Sequence, residues 1–274
     1  MILRPGLFFK EVTLFGITLL LGIFSANNYS SFVEKNIVEP SFSWSSVIIF
    51  IIFAAIFSTV VVRFKSLGAV FFKFLLTLVV FSGSQLVFGS IVSSPWDITL
   101  ALGSVSIFLF IRNVLVHNIG MILGIAGVSS MLGITVSPLT AVALLGILSF
   151  YDILAVYWTK HMVYLAKGMM ESGAIFGFII PFNLRDIFYH SYEAKHKIGE
   201  KFMILGSGDI GLPLVLASSV AFVSISQALI ICLFALAGLF LTHLIFINQS
   251  GRRPMAALPP IATLTIIGYL VSQL

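Results

Sequence analysis

The chain has 274 residues, of which 59% are hydrophobic and only 9% charged, with a formal net charge of +5. Soluble domains carry roughly a quarter charged residues, and no soluble core of this size absorbs so much apolar surface, so lipid is the solvent for most of the chain. The basic residues are dispersed between apolar runs, which argues against nucleic-acid binding, and the single cysteine, Cys232, excludes an internal disulfide.

Apolar runs predict nine membrane-spanning helices near residues 12–26, 46–62, 69–92, 98–116, 118–134, 138–158, 203–223, 226–247 and 256–273. The runs are continuously apolar and do not alternate, so the expected fold is an all-α polytopic membrane protein and not a β-barrel. The first run, behind Arg4 and Lys10, resembles the apolar region of a signal peptide. With so many spans behind it, it reads as the first anchor. Two connections are long, 27–45 and 159–202. The expected organisation is one integral membrane domain: spans one to six over 1–158, a cytoplasmic connection over 159–202, and spans seven to nine over 203–274. Within the connection, 162–181 is apolar but interrupted by Lys167 and Glu171, which suits an interfacial or partly re-entrant helix beside the sixth span, placed to act as a substrate gate.

Of the 15 basic residues, all but Lys35 fall on one side of this nine-span plan. The positive-inside rule then puts the N-terminus and the 159–202 connection in the cytoplasm and the C-terminus outside.

Of the ten acidic residues, Asp152 and Asp209 alone lie well within spans. Asp152 precedes the cytoplasmic end of the sixth span and Asp209 follows that of the seventh, so both sit ~10 Å below the same surface at helical rise. Adjacent, oppositely directed helices can bring them face to face. Each ionised aspartate costs roughly 2.5–3.5 kcal/mol at a helix centre. A proton shared between them removes one of the two charges, leaving one carboxylate and one carboxylic acid. That is the state acid–base hydrolysis requires. The plainer alternative, that each aspartate bonds a neighbouring helix, does not explain their matched depth.

Around Asp209, Gly206 lies three residues before on the same helical face and Gly208 is adjacent, so backbone or substrate can approach closely. Pro213, four residues on, has no N–H and deprives the Asp209 carbonyl of its helical donor. Gly120-x-x-x-Gly124 and Gly173-x-x-x-Gly177 read as helix contacts. His117, His161, His190, His196 and His243 lack metal-ligand spacing, so neither a metal nor a cofactor is expected.

Tyr151-Asp152, Gly206-Ser207-Gly208-Asp209 (a Gly-x-Gly-Asp element) and Ala256-Ala257-Leu258-Pro259 together resemble the motifs of the presenilin and signal peptide peptidase family of intramembrane aspartyl proteases. The span plan and orientation are most similar to a compact microbial, archaeal presenilin homologue. The resemblance implies that Asp152 and Asp209 are catalytic. It also implies that Tyr151, Gly206, Gly208, Ala257, Leu258 and Pro259 shape the site and position substrate. The substrates would be transmembrane helices of other proteins, cleaved in the cell membrane, with room for a homo-oligomer. The family pattern begins Pro-Ala-Leu-Pro, and Ala256 departs from it.

Two other functions compete. A proton- or cation-coupled transporter also buries carboxylates beside broken helices, but such transporters often carry internal repeats, and none is visible between the two halves. A prepilin peptidase-like enzyme shares Gly-x-Gly-Asp but is not expected to carry Tyr-Asp or the Ala-Leu-Pro element. The orientation is tested in a Cys232→Ser background: Lys195→Cys should be labelled by an impermeant thiol reagent from the cytoplasm and Asn36→Cys from outside. The reverse pattern turns the molecule over.

Overall fold

The computed structural model describes residues 5–33, 65–160, 168–169, 171–194, 197–249 and 255–274. The expected second span, 46–62, lies outside the described residues. The helices are α1 (Pro5–Val33), α2 (Lys65–Gly89), α3 (Trp96–Phe110), α4 (Val114–Thr135), α5 (Pro138–Ile153), α6 (Ser207–Ala221), α7 (Ile225–Ile247) and α8 (Leu258–Ser272). A π-helical turn, Leu154–Trp158, extends α5. Two strands, β1 (Gly177–Pro181) and β2 (Phe202–Gly206), form an antiparallel pair.

Among the described residues, α1, α2, α4, α7 and α5 with its π turn are long and apolar enough to cross a membrane. The helices α3, α6 and α8 have 15 residues each. At helical rise that is about 23 Å, against a hydrocarbon core of about 30 Å.

Local signals explain most boundaries. Asn113, Ser137 and Ser224 cap α4, α5 and α7 by accepting from Val116, Thr140 and Gln227, and Pro138 opens α5 where a missing N–H does no harm. The break between the fourth and fifth spans therefore falls at 111–113, several residues before the expected one. Backbone bonds from Val114 to Tyr189 and from Ser191 to Arg112 stitch this break to the 189–191 segment.

Two expectations are corrected. Residues 202–206 are strand and not the first turns of the seventh span, so α6 begins only at Ser207. Within 162–181, residues 162–167 and 170 lie outside the described residues, and Gly177–Pro181 is a strand and not part of a helix. The whole of β1 is buried. Phe178 and Ile180 enter the main core with Leu205 and Ile210, while Ile179 packs with Val114, Ile175 and Phe202 in a smaller cluster. A strand covered on both faces reads as one unbroken apolar run, like a buried helix.

At the centre stands α6, buried along nearly its whole length from Ile210 to Ala221. Small residues let α4 approach it: a Cβ on Gly133 would lie 2.4 Å from Ser218 Cβ, and one on Gly211 2.9 Å from Ser129 Oγ. In α2, Gly83 meets Gly124 and Gly127 of α4 backbone to backbone, and Gly120 packs under Phe108, so the first of the two glycine pairs is a helix contact as expected. Of the second pair, Gly173 sits at φ 79° and Gly177 lies against the Leu205 carbonyl inside the strand pair, so neither is a helix contact.

A Cβ at Gly127 would come 2.1 Å from the Gly83 carbonyl oxygen, whereas one at Gly103 meets nothing within 4 Å. Gly127→Ala should therefore destabilise the protein by about 1–3 kcal/mol. Gly103→Ala should be neutral or stabilising by up to about 1 kcal/mol through helix propensity. Unfolding of both variants in detergent checks the difference in sign.

Candidate active site

The strand pair runs directly into Asp209. Hydrogen bonds from Ser207 N to Phe176 O and from Phe182 N to Lys201 O flank the pairs Gly177–Gly206 and Pro181–Phe202. In an antiparallel ladder this turns the backbone groups of residues 177, 179 and 181 away from β2, and those of 202, 204 and 206 away from β1.

The outer edge of β1 is filled by side chains. His117 Nε2 bonds Gly177 O at 3.0 Å. Asn118 acts as a substitute strand, donating to Ile179 O at 2.8 Å and accepting from Ile179 N at 2.9 Å. Lys10 Nζ donates to Pro181 O at 2.7 Å. The outer edge of β2 is more open. Phe202 O accepts from Gly199 N, and the Gly206 backbone bonds the Asp209 carboxyl. Among the described residues, nothing bonds the Ile204 N–H or C=O.

Gly206 is thus the N-cap of α6, and Asp209, at the third helical position, reaches back to it in the manner of a capping box. This replaces the expected placement of Gly206 on the helical face of Asp209, although the contact itself survives: a Cβ on Gly206 would lie 3.0 Å from Asp209 Oδ2. Gly208 is exposed, and a Cβ there would meet nothing within 4 Å. Pro213 lies inside α6, where its ring cannot donate to the Asp209 carbonyl.

Asp152 sits in the last turn of α5, immediately before the helix widens into the π turn, and Lys160 at φ 53° ends the element. Such widened turns recur at functional sites. The Asp152 side chain is buried, and its Oδ2 accepts from the Leu258 N–H at 3.4 Å. Leu258 is the first residue of α8, and its side chain lies in the core. Pro259 and Pro260 follow without N–H groups, so among the first three residues of α8 only Leu258 has a donor to offer. Ala257 is the N-cap, and its carbonyl receives the Thr242 hydroxyl at 3.4 Å. Ala256 is buried.

Asp152 and Asp209 come within electrostatic range of each other. Gly206 lies against Asp209 and Leu258 against Asp152, with Ala257 and Pro259 flanking Leu258 in the chain. Tyr151, next to Asp152 in the chain, is 50% exposed. Sequence reasoning missed His117, Asn118 and Lys10 as supports of β1. His117 and Asn118 sit one turn into an apolar helix, which was a usable signal. It also missed a buried Glu11–His243 pair. Among the described residues, no group of three metal-ligating side chains assembles.

The fold and site define a class: a helical membrane protein with two carboxyls, each held at the start of a helix. The chain belongs to the family described as "Signal-peptide peptidase, presenilin aspartyl protease", whose profile matches residues 12–274. It is accordingly an intramembrane aspartic endopeptidase, and its family implies transmembrane-protein substrates in a lipid bilayer. Two solved structures, both of a presenilin family intramembrane aspartate protease, are similar in fold. The one in space group P2 has a TM-score of 0.62 at 24% identity, over 100% of this chain and 98% of that one. The one in C222 has a TM-score of 0.59 at 23% identity, over 95% and 97%. Comparison with curated proteins finds no match.

Asn118→Leu should free the β1 edge while leaving α4 intact, and leave the Ile179 N–H and C=O unpaired at about 1–3 kcal/mol each. The expected result is faster amide exchange in 177–181 and 202–206 and slower substrate cleavage. Unchanged exchange in both strands contradicts this account of the strand pair.

Proposed function

We propose that Asp152 and Asp209 are the catalytic dyad of this endopeptidase and share one proton. The ionised member takes a proton from water as the water oxygen attacks the scissile carbonyl carbon. The neutral member gives its proton to the carbonyl oxygen. Collapse of the tetrahedral intermediate breaks the C–N bond, and the departing nitrogen is protonated from the pair. The observation that carries this reading is the convergence of two carboxyls from different elements within electrostatic range of each other, each bonded by backbone at a helix start.

A substrate helix hides its carbonyls in its own hydrogen bonds and must unwind to be cut. The N–H and C=O of Ile204, unbonded among the described residues, offer an extended segment a strand to pair with, two residues before Gly206 and five before Asp209. Gly208 leaves open space for that approach. Tyr151, Gly206, Ala257, Leu258 and Pro259 then shape the walls. The nine-span plan, with a cytoplasmic N-terminus, an external C-terminus and residence in the cell membrane, is supported by the one-sided distribution of basic residues.

Asp152→Asn and Asp209→Asn should each lower cleavage of a single-span peptide by at least about 100-fold, the scale of a lost general acid or base. The protein should stay folded. In the parent protein the rate should be bell-shaped in pH, with both limbs belonging to the pair. A non-cleavable peptide mimic with a hydroxyl at the scissile position should inhibit by meeting both carboxyls. Near-normal turnover in either asparagine variant would overturn the dyad. Ion flux in sealed vesicles that needs both aspartates, without cleavage and indifferent to the mimic, would restore the transporter.

A further inference from the structure

Two consecutive residues of α1 reach the two halves of the site separately. Neighbours on a helix point about 100° apart, so Lys10 and Glu11 face different elements. Lys10 Nζ donates to Pro181 O at 2.7 Å and Phe182 O at 2.8 Å, at the far end of β1. The register of β1 on β2 carries that anchorage to Gly206 and so to Asp209.

Glu11 faces the other way, into α7. It and His243 are each 2% exposed, and His243 Nδ1 lies 2.9 and 3.0 Å from the two carboxyl oxygens. The Phe8 ring lies tilted 5.1 Å from His243 and edge-on 5.1 Å from Phe240, closing the pair in apolar surroundings. Among the described residues, His243 Nε2 has no partner. An unsatisfied buried nitrogen costs about 1–3 kcal/mol, so stability alone does not favour a histidine here over an apolar residue.

From His243 the path to Asp152 is short. The adjacent Thr242 hydroxyl donates to Gly238 O at 2.9 Å and touches Ala257 O at 3.4 Å. At Gly238 itself, a Cβ would lie 2.6 Å from Ile261 Cα, so α7 and the first turn of α8 cross without slack. Fixing α7 fixes Leu258, whose N–H meets Asp152.

We propose that Lys10 and Glu11, with His243, are positioning residues that hold the two aspartates at their working separation from one rigid helix. Lys10 acts on Asp209 through the strand pair, and Glu11 acts on Asp152 through α7 and Leu258. The proposal rests on the dyad reading above. It assigns a role to a lysine and a buried hydrogen-bonded Glu11–His243 pair that the chemistry itself does not use.

The test measures kcat and KM for a single-span peptide in Lys10→Met, Glu11→Leu and His243→Phe. Lys10→Arg and Glu11→Gln, which keep a donor and an acceptor, serve as conservative controls. Misplacing the reacting groups should lower kcat roughly tenfold or more with KM within about twofold. The conservative variants should recover to within about threefold of the parent. Affinity for the hydroxyl mimic should fall with kcat, because it meets both carboxyls.

Thermal unfolding identifies folded variants. Lys10→Met, which leaves the buried Glu11–His243 pair in place, keeps the proposal testable if Glu11→Leu does not fold. Unchanged kcat in folded Lys10→Met, Glu11→Leu or His243→Phe overturns the proposal, as does a loss confined to KM. Asp152→Asn and Asp209→Asn are run alongside. Inactive asparagine variants with fully active Lys10, Glu11 and His243 variants refute the positioning role alone, and active asparagine variants refute the dyad beneath it.

Discussion

Backbone N–H groups at the start of two helices hold the two carboxyls of this protein. Asp209 reaches back to its own N-cap, Gly206, and Asp152 receives the first N–H of α8 from across the molecule. A helix start presents unpaired donors and the positive end of the macrodipole. It supplies a polar environment without a cationic side chain, whose burial in the membrane would itself be unfavourable. The prolines after Leu258 strip the competing donors from that turn, and the glycines around Asp209 keep its surroundings open. Both motifs therefore arrange backbone as much as side chains.

This solution requires extended chain next to Asp209, and unpaired backbone at membrane depth is tolerated only where protein or a wet cavity satisfies it. His117, Asn118 and Lys10 fill the outer edge of β1 for that reason. The same burial makes α6 short and central. Its partners approach through Gly22, Gly133 and Ser129, where larger side chains would push the aspartate helix out of line.

Much of this was legible in the residues. Asp152 and Asp209 stood out because a carboxyl in an apolar run is unfavourable, and their matched depth followed from counting. Asn113, which caps α4, was a boundary signal left unused, and the expected break fell several residues after it. The strands were not legible as such. Gly177–Pro181 and Phe202–Gly206 are apolar without alternation, since tertiary packing covers β1 on both faces, and 202–206 adjoins a genuine helix. The β-branched and aromatic run Phe178-Ile179-Ile180, bounded by Gly177 and Pro181, was the signal available. Glu11 and His243, 232 positions apart, show their partnership only once α1 lies on α7.

The 15-residue length of α3 and α8 also bears on the lipid around them. Helices about 7 Å shorter than an average hydrocarbon core create hydrophobic mismatch, which is relieved by thinning the bilayer locally or by snorkelling flanking residues. In the nine-span arrangement proposed above, a thinned annulus beside α8 would bring the headgroup region, and with it water, nearer to Leu258 and Asp152. Acyl-chain length would then be a physical variable of hydrolysis: thicker membranes increase the work of deformation, and thinner ones reduce it.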